Sequence, residues 1–431
     1  MNLRRLICLA AIAVCTAFSA LAQDLPKANK AEDVGLSTER LKRLTDNLQA
    51  DVDKGVIPGA VVMVSRNGKI AYSQAFGFQD REKQVPMKTD AIFRIASMSK
   101  PFTSVAIMML VEEGKILLTD PVSAYLPELK DRQVGVEKVN AEGKPELSLE
   151  AARTEIIIQD LLRHTSGFTY GFFGKPTLVK QAYTSANLLD PTQTLAGFVT
   201  KLSKLPLAYQ PGTTWDYGVS TDVLGRVIEV VSGASLDQFI ADRITKPLRL
   251  TSTGFYVTAE NASRIAEPQI NPATGARPPM PDPAKRPNLM SGGGGMVSTP
   301  ADYMRFAAML LNGGELGGIH FLSSRTIALM TSDHVPPDIV PSPVGSMMGV
   351  TPRNGIGFGL GFGVRTDAGR NPLPGSPGLV AWPGIYGTSF WIDPKEKLIG
   401  VAMLQLPASQ EPRYRSLVRN LVYQALLNAH D

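Results

Sequence analysis

Cysteine is almost missing from this chain. Two occur in 431 residues, Cys8 and Cys15, and both fall in the first twenty-two. Without that segment there is no thiol, so neither a disulfide nor a thiolate nucleophile can form. The fold must rest on an apolar core, and the remaining length suits one large unit or two modest domains. Histidine is scarce too: His164, His320, His334 and His430 are the only four. None is spaced with another histidine or a cysteine as metal ligands usually are. No metal or other cofactor is expected. The formal net charge is only +5, and it falls to +3 without Arg4 and Arg5. No basic run is present that would hold nucleic acid or an anionic membrane. Gly-x-Ser-x-Gly is absent, which removes the nucleophile elbow of one large hydrolase class. Gly292-Gly293-Gly294-Gly295 is followed by Met296, so it is no phosphate loop. It reads as a flexible entry to a helix capped by Thr299, with Pro300 at its first position.

What is there begins with an export signal. Arg4 and Arg5 precede an apolar run from Leu6 to Phe18, and Ala20 and Ala22 form a small-residue site. The run is too short for a comfortable membrane span. Cleavage after Ala22, with a periplasmic or secreted product and no membrane attachment, is the expectation.

A helix is expected over 38–54, with Ser37 as cap, a Leu41, Leu44, Leu48, Val52 stripe, and Gly55 as stop. The β-rich runs 60–65 and 70–76 flank Asn67-Gly68, a tight hairpin. A second helix is expected from Ser97 to Glu113, apolar on every side around 105–111 and therefore buried. Residues 130–284 read as helical stretches (156–163, 195–202, 222–231) between long loops, and 275–287, with five prolines, as an irregular connector. The alternation of 357–364 reads as one strand with a bare glycine face against the Ser97 helix. Runs 388–392 and 398–404 form another hairpin, and a last helix covers 412–428. The fold class is α/β (α+β): an antiparallel sheet flanked by helices, with a mostly helical inserted lobe. In domain terms, 1–22 is the signal, 30–130 with 285–431 the α/β lobe, and 131–284 the helical lobe.

Ser97-Met98-Ser99-Lys100 opens the buried helix. Residues three apart share a helix face, so the Ser97 hydroxyl and the Lys100 amine can meet. A serine hydroxyl is a poor nucleophile until a neighbour takes its proton. Burial disfavours the charged form of an amine and so suits it to that task. Pro101 lacks an N–H, which a helix tolerates only in its first turn.

The segment Phe93-Arg94-Ile95-Ala96-Ser97-Met98-Ser99-Lys100-Pro101 resembles the nucleophile segment of the serine β-lactamase, penicillin-binding protein and β-lactamase-like esterase superfamily, and most of all its class C β-lactamase-like esterases. Pro58-Gly59, Leu161-Leu162-Arg163-His164-Thr165-Ser166-Gly167, Tyr209-Gln210-Pro211-Gly212, Gly293-Gly294-Gly295-Met296 and Tyr386-Gly387-Thr388 extend the resemblance over nearly the whole chain. It implies a bilobal fold with the site between the lobes. Tyr217 in Trp215-Asp216-Tyr217-Gly218-Val219 matches a tyrosine that assists proton transfer in relatives; Val219 replaces the family's asparagine. Without the resemblance, Tyr217 would read as a buried tyrosine with a satisfied hydroxyl. Trp382-Pro383-Gly384 stands where β-lactamases carry Lys-Thr-Gly, a variant similar to the esterase branch. By position, the N–H groups of Ser97 and Ile385 form the oxyanion hole, and Trp382 and Gly384 belong to the substrate-binding strand. His164 resembles a structural histidine, and Arg94 receives no role.

The resemblance implies a serine carboxylesterase acting on small esters through an acyl-enzyme on Ser97, with side activity on β-lactams. The rivals are a class C-type β-lactamase, a D-Ala-D-Ala carboxypeptidase, an acyl-transferring variant, and a non-catalytic penicillin-binding or sensor module. A small-molecule ester or β-lactam is the expected partner.

Overall fold

Asn67 and Gly68 hold positive φ angles of 51° and 74°, the pair of left-handed residues that a type I′ turn requires. They join β1 (Gly59–Arg66) to β2 (Lys69–Asp80), and β3 (Val85–Pro86) follows as an edge. The C-terminal part supplies β4 (Ile356–Phe358), β5 (Gly363–Arg365), β6 (Val380–Gly384), β7 (Thr388–Asp393) and β8 (Leu398–Met403). The computed structural model, which describes residues 25–427, arranges these as one eight-stranded sheet in the order β4-β5-β6-β7-β8-β1-β2-β3. Its strand pairs are antiparallel. The export signal expected at 1–22 lies outside the described residues.

Every residue of β1 is buried, because both faces of the sheet are covered. Side chains alternate along a strand. Val61 and Met63 join one core, and Ala60, Val62 and Val64 join the other. The helices that matter for the site and its support are α1 (Thr38–Asp53), α2 (Lys100–Glu112), α3 (Ser220–Ser232), α4 (Pro300–Leu311) and α5 (Glu411–Tyr423). On the outer face α1 presents Leu41, Leu44, Leu48 and Val52, and α5 presents Tyr414, Val418 and Val422. Each buried leucine of that stripe contributes about 2 kcal/mol of transfer free energy. Ser37 caps α1 by accepting the Arg40 N–H at 3.2 Å. On the inner face α2 and α4 meet, with Phe102 stacked on Phe306 at a centroid distance of 3.9 Å.

Between the two halves of the sheet, 131–284 holds the helices Ile158–Leu162, Leu178–Ser185, Leu195–Leu202, α3 and Leu236–Ile240. It also holds an antiparallel hairpin, Gln133–Val139 with Pro145–Ala151, that sequence reasoning did not anticipate. Its strands are largely exposed and carry charge on both faces, so no period-2 apolar signal survives. The prolines of 275–287 leave that connector without a regular element, as expected.

The glycine-rich stretch 357–364 needs correction. It is not one strand but two, β4 and β5, turning back at Gly359, whose N–H donates to Phe362 O at 2.8 Å. Gly361 has φ 102° and an added Cβ would sit 2.2 Å from Ser104 Oγ on α2. Only this glycine meets the buried helix. Gly357 faces Asp333, Gly359 the backbone of Met330, and Gly363 the Trp382 ring. The C-terminal helix also ends earlier than expected, at Tyr423.

Candidate active site

Helix α2 does not begin at Ser97. Residues Ala96–Ser99 form a 3-10 turn, and the α-helix starts at Lys100. Pro101 has no N–H to give to Ser97 O, so the tighter turn is closed by Lys100 N–H instead. Just before Ser97, Ala96 holds φ +44°. A residue with a Cβ is strained there and stays only where its surroundings fix it. They do so closely. Ser99 Oγ donates to Ala96 O at 2.6 Å and accepts the Met296 N–H at 3.0 Å. Thr388 Oγ1 donates to Ile95 O at 3.3 Å. The strand Phe93–Arg94 that leads in pairs with Val297–Ser298.

Lys100 is 0% exposed. Its Nζ donates to Gly293 O at 2.6 Å, to Ser97 Oγ at 3.4 Å and to Tyr170 Oη at 3.4 Å. It also lies over the Tyr217 ring, 4.6 Å from the centroid, where the π face attracts a cation. Ser97 is half-buried at the edge of a cavity of about 520 Å³. The sequence thus brings Ser97, Lys100 and Tyr217 to one place. Tyr217, however, offers the amine its ring, while its hydroxyl accepts from Trp382 Nε1 at 3.1 Å.

Trp382 therefore stands behind Tyr217 and is not among the side chains lining the cavity. Gly384 backs the Ser97 turn: an added Cβ would lie 2.3 Å from both Ile95 O and Thr388 Oγ1. Ile385 begins the turn after β6 and lines the cavity together with Ser97. His164, at φ +60° just beyond the helix Ile158–Leu162, is fully buried against Tyr217, Phe358 and Trp215. Burial, and next the Lys100 charge, hold its imidazole well below the ordinary range, so it is neutral.

Sequence reasoning missed two residues at this site. Tyr170 is one; its ring meets Tyr217 at 5.4 Å. Burial, then the charge of Asp222, keep its phenol well above the usual range. Asp222, on the first turn of α3, is the other. It is fully buried. Its Oδ1 accepts from Ser291 Oγ at 2.5 Å and from the Gly293 N–H at 3.0 Å, while Oδ2 has no hydrogen-bond partner among the described residues. Gly293 thus joins the buried carboxyl group of Asp222 to the buried amine of Lys100, N–H to one and C=O to the other. A Cβ on Gly293 would lie 2.6 Å from Asp222 Oδ2, and one on Gly292 2.9 Å from Thr103 Oγ1. The glycine run is therefore a tight bridge rather than the flexible entry expected from its composition. The acid on the first turn of an apolar helix, together with four consecutive glycines, was the available signal.

Burial raises the Asp222 carboxyl above its ordinary value of 3.8, against the Ser291 hydrogen bond and the Lys100 charge. A raised acid stabilises the fold below its ordinary value and loses that contribution as pH rises through its folded value. Relative to Asp222→Asn, the wild type is expected to lose stability as pH is raised from 4 towards neutrality. Urea unfolding of both proteins across that range measures this, and parallel or opposite slopes would contradict it.

A Beta-lactamase family model matches residues 44–424. Protein Rv1367c of Mycobacterium tuberculosis is 37% identical over 362 residues, covering 82% of this chain and 87% of that protein. Lovastatin esterase of Penicillium rubens is 30% identical over 385 residues, covering 83% and 91%. Among solved structures, EstCE1, described as a hydrolase with promiscuous acyltransferase activity, superposes with a TM-score of 0.72 at 30% identity, covering 89% of this chain and 98% of its own. With the match running from α1 to the end of α5, across the sheet and every residue of the site, the chain belongs to the beta-lactamase family.

Proposed function

We propose that the protein is a serine carboxylesterase working through an acyl-enzyme on Ser97. The observation that carries this reading is the amine of Lys100, wholly buried, held on Gly293 O and 3.4 Å from Ser97 Oγ. Ser97 Oγ attacks the ester carbonyl while its proton passes to Nζ of Lys100, which enters the step as the neutral amine, with Tyr170 and Tyr217 beside it. The carbonyl oxygen becomes an oxyanion, received by the Ser97 and Ile385 N–H groups. The C–O bond to the alcohol breaks, the alcohol leaves with the proton, and acyl-Ser97 remains. Water then adds to the acyl carbonyl and gives up a proton to Lys100; the bond from carbonyl carbon to Ser97 Oγ breaks, Oγ takes that proton back, and the acid leaves. Trp382 supports the step indirectly, by fixing the Tyr217 hydroxyl.

Val219 and Trp382-Pro383-Gly384 support an ester in preference to a β-lactam. They stand where asparagine and lysine would meet the amide and carboxylate of a lactam. Acyl transfer to an alcohol in place of water is a second reading, favoured by the apolar cavity and by the described acyltransferase activity of EstCE1. With 1–22 read as an export signal, the enzyme is proposed to act in the periplasm or outside the cell.

The test is covalent. Quenching with 4-nitrophenyl butyrate in turnover is expected to add one butyryl group to the peptide containing Ser97, and a chromogenic cephalosporin is expected to turn over far more slowly. Ester cleavage with no acyl group on that peptide, or with the group elsewhere, overturns the reading. Added methanol that raises the yield of methyl butyrate at the expense of the acid favours the acyl-transfer variant.

A further inference from the structure

The space in front of Ser97 is much larger than a small ester fills. Its volume is about 520 Å³, whereas an apolar cavity of about 150 Å³ already takes benzene. One wall is aromatic. Phe172 packs against Tyr170 and Phe173 at ring distances of 5.0 and 4.6 Å. A second wall is the proline-rich connector, through Pro281 and Pro283, with Leu289 just beyond it.

That second wall is anchored, although it has no regular element. Arg94, three residues before the nucleophile, donates to Pro281 O at 2.6 Å and pairs with Glu267 at 3.1 Å. Val257 N–H donates to Pro283 O at 2.7 Å, and Asn288 N–H to Pro191 O at 2.9 Å. Proline adds stiffness, because its φ is fixed. The room is therefore built.

At its rim two large apolar side chains stay in water: Phe172 is 60% exposed and Leu189 41%. Apolar surface gathered at the mouth of a cavity is stabilised when a ligand covers it. The cations along the lining are already neutralised. Arg94 has Glu267, Arg286 has Asp237 at 2.8 Å, and Lys285 has Asp282 at 3.5 Å. Little charge is left over to receive a carboxylate.

We infer that the substrate is a neutral ester carrying a bulky, ring-bearing apolar group beside the scissile bond. This rests on the proposed esterase reading and names the substrate class of that site. Two matched pairs test it. On the acyl side, 4-nitrophenyl acetate is compared with the 4-nitrophenyl ester of 2-naphthylacetic acid. On the alcohol side, ethyl acetate is compared with 2-(2-naphthyl)ethyl acetate. In at least one pair the bulky member is expected to have a kcat/KM about tenfold higher. Phe172→Ala is expected to shrink that ratio by about tenfold, chiefly through a higher KM for the bulky ester. Equal kcat/KM values within both pairs, with Ser97 still butyrylated, would overturn this inference alone. Absence of any acyl group on Ser97 would overturn the esterase reading beneath it. A carboxylate-bearing naphthyl analogue preferred over the neutral one would overturn neutrality.

Discussion

Ser97→Ala is expected to reduce kcat/KM for 4-nitrophenyl butyrate roughly 10³-fold or more, since loss of a covalent nucleophile leaves only binding and oxyanion stabilisation. The substitution is structurally mild. Ser97 Oγ has one hydrogen bond of note, the 3.4 Å contact from Lys100. Its backbone is held by neighbours that the change does not touch: Ser99, Met296 and Thr388. The unfolding free energy should therefore fall by no more than the loss of one weak hydrogen bond, about 1 kcal/mol. A variant that folds and still hydrolyses the ester at more than a tenth of the wild-type rate would assign the nucleophile elsewhere.

Lys100→Met is expected to cost about 10²- to 10⁴-fold in kcat/KM, the usual contribution of a positioned acid-base group. Methionine keeps the length and volume of the side chain. It enters a helix whose neighbours Phe102, Val105, Ala106 and Ile107 are already buried. Replacing both members of a buried charged pair by apolar groups is often neutral for stability, whereas removing one member is destabilising. Here two groups lose a partner: Gly293 O its donor at 2.6 Å, and Asp222 its opposing charge. Moderate destabilisation with near-complete loss of turnover is the expected pattern. Lys100→Arg should not restore activity, because a planar guanidinium cannot occupy a place defined by one short bond to a carbonyl and a ring face beneath. Esterase activity within tenfold of wild type in Lys100→Met would remove this residue from the chemistry.

Much of the fold was legible because its signals are local. The leucine stripe and Ser37 cap define α1, Asn67-Gly68 defines the first hairpin, and the all-apolar run at 105–111 marks a buried helix. The closeness of Ser97 and Lys100 was legible for the same reason, the two being one turn apart. Legibility stopped where partners are distant. Lys100 meets Gly293 at a separation of 193 residues and Tyr170 at 70, and no periodicity announces either. The reach of Trp382 Nε1 to Tyr217, 165 residues away, is equally silent. In 357–364 a true signal misled: the alternation was real, but the φ of 102° at Gly361 reverses the chain in the middle of it. Charge on both faces hid the hairpin at 133–151.

The central seam of the sheet has a consequence for how the molecule comes into being. Strand β1 lies beside β8, with Val61 opposite Met403, and the turn holding Ser97 leans on Gly384 and Thr388. A nascent chain that has emerged as far as residue 300 already owns the serine and the lysine. It does not yet own the strand against which that serine is braced. On the proposed mechanism, esterase activity is therefore expected only once the last strands have joined the sheet, and a prematurely released fragment is expected to be inactive however complete its Ser-x-x-Lys motif.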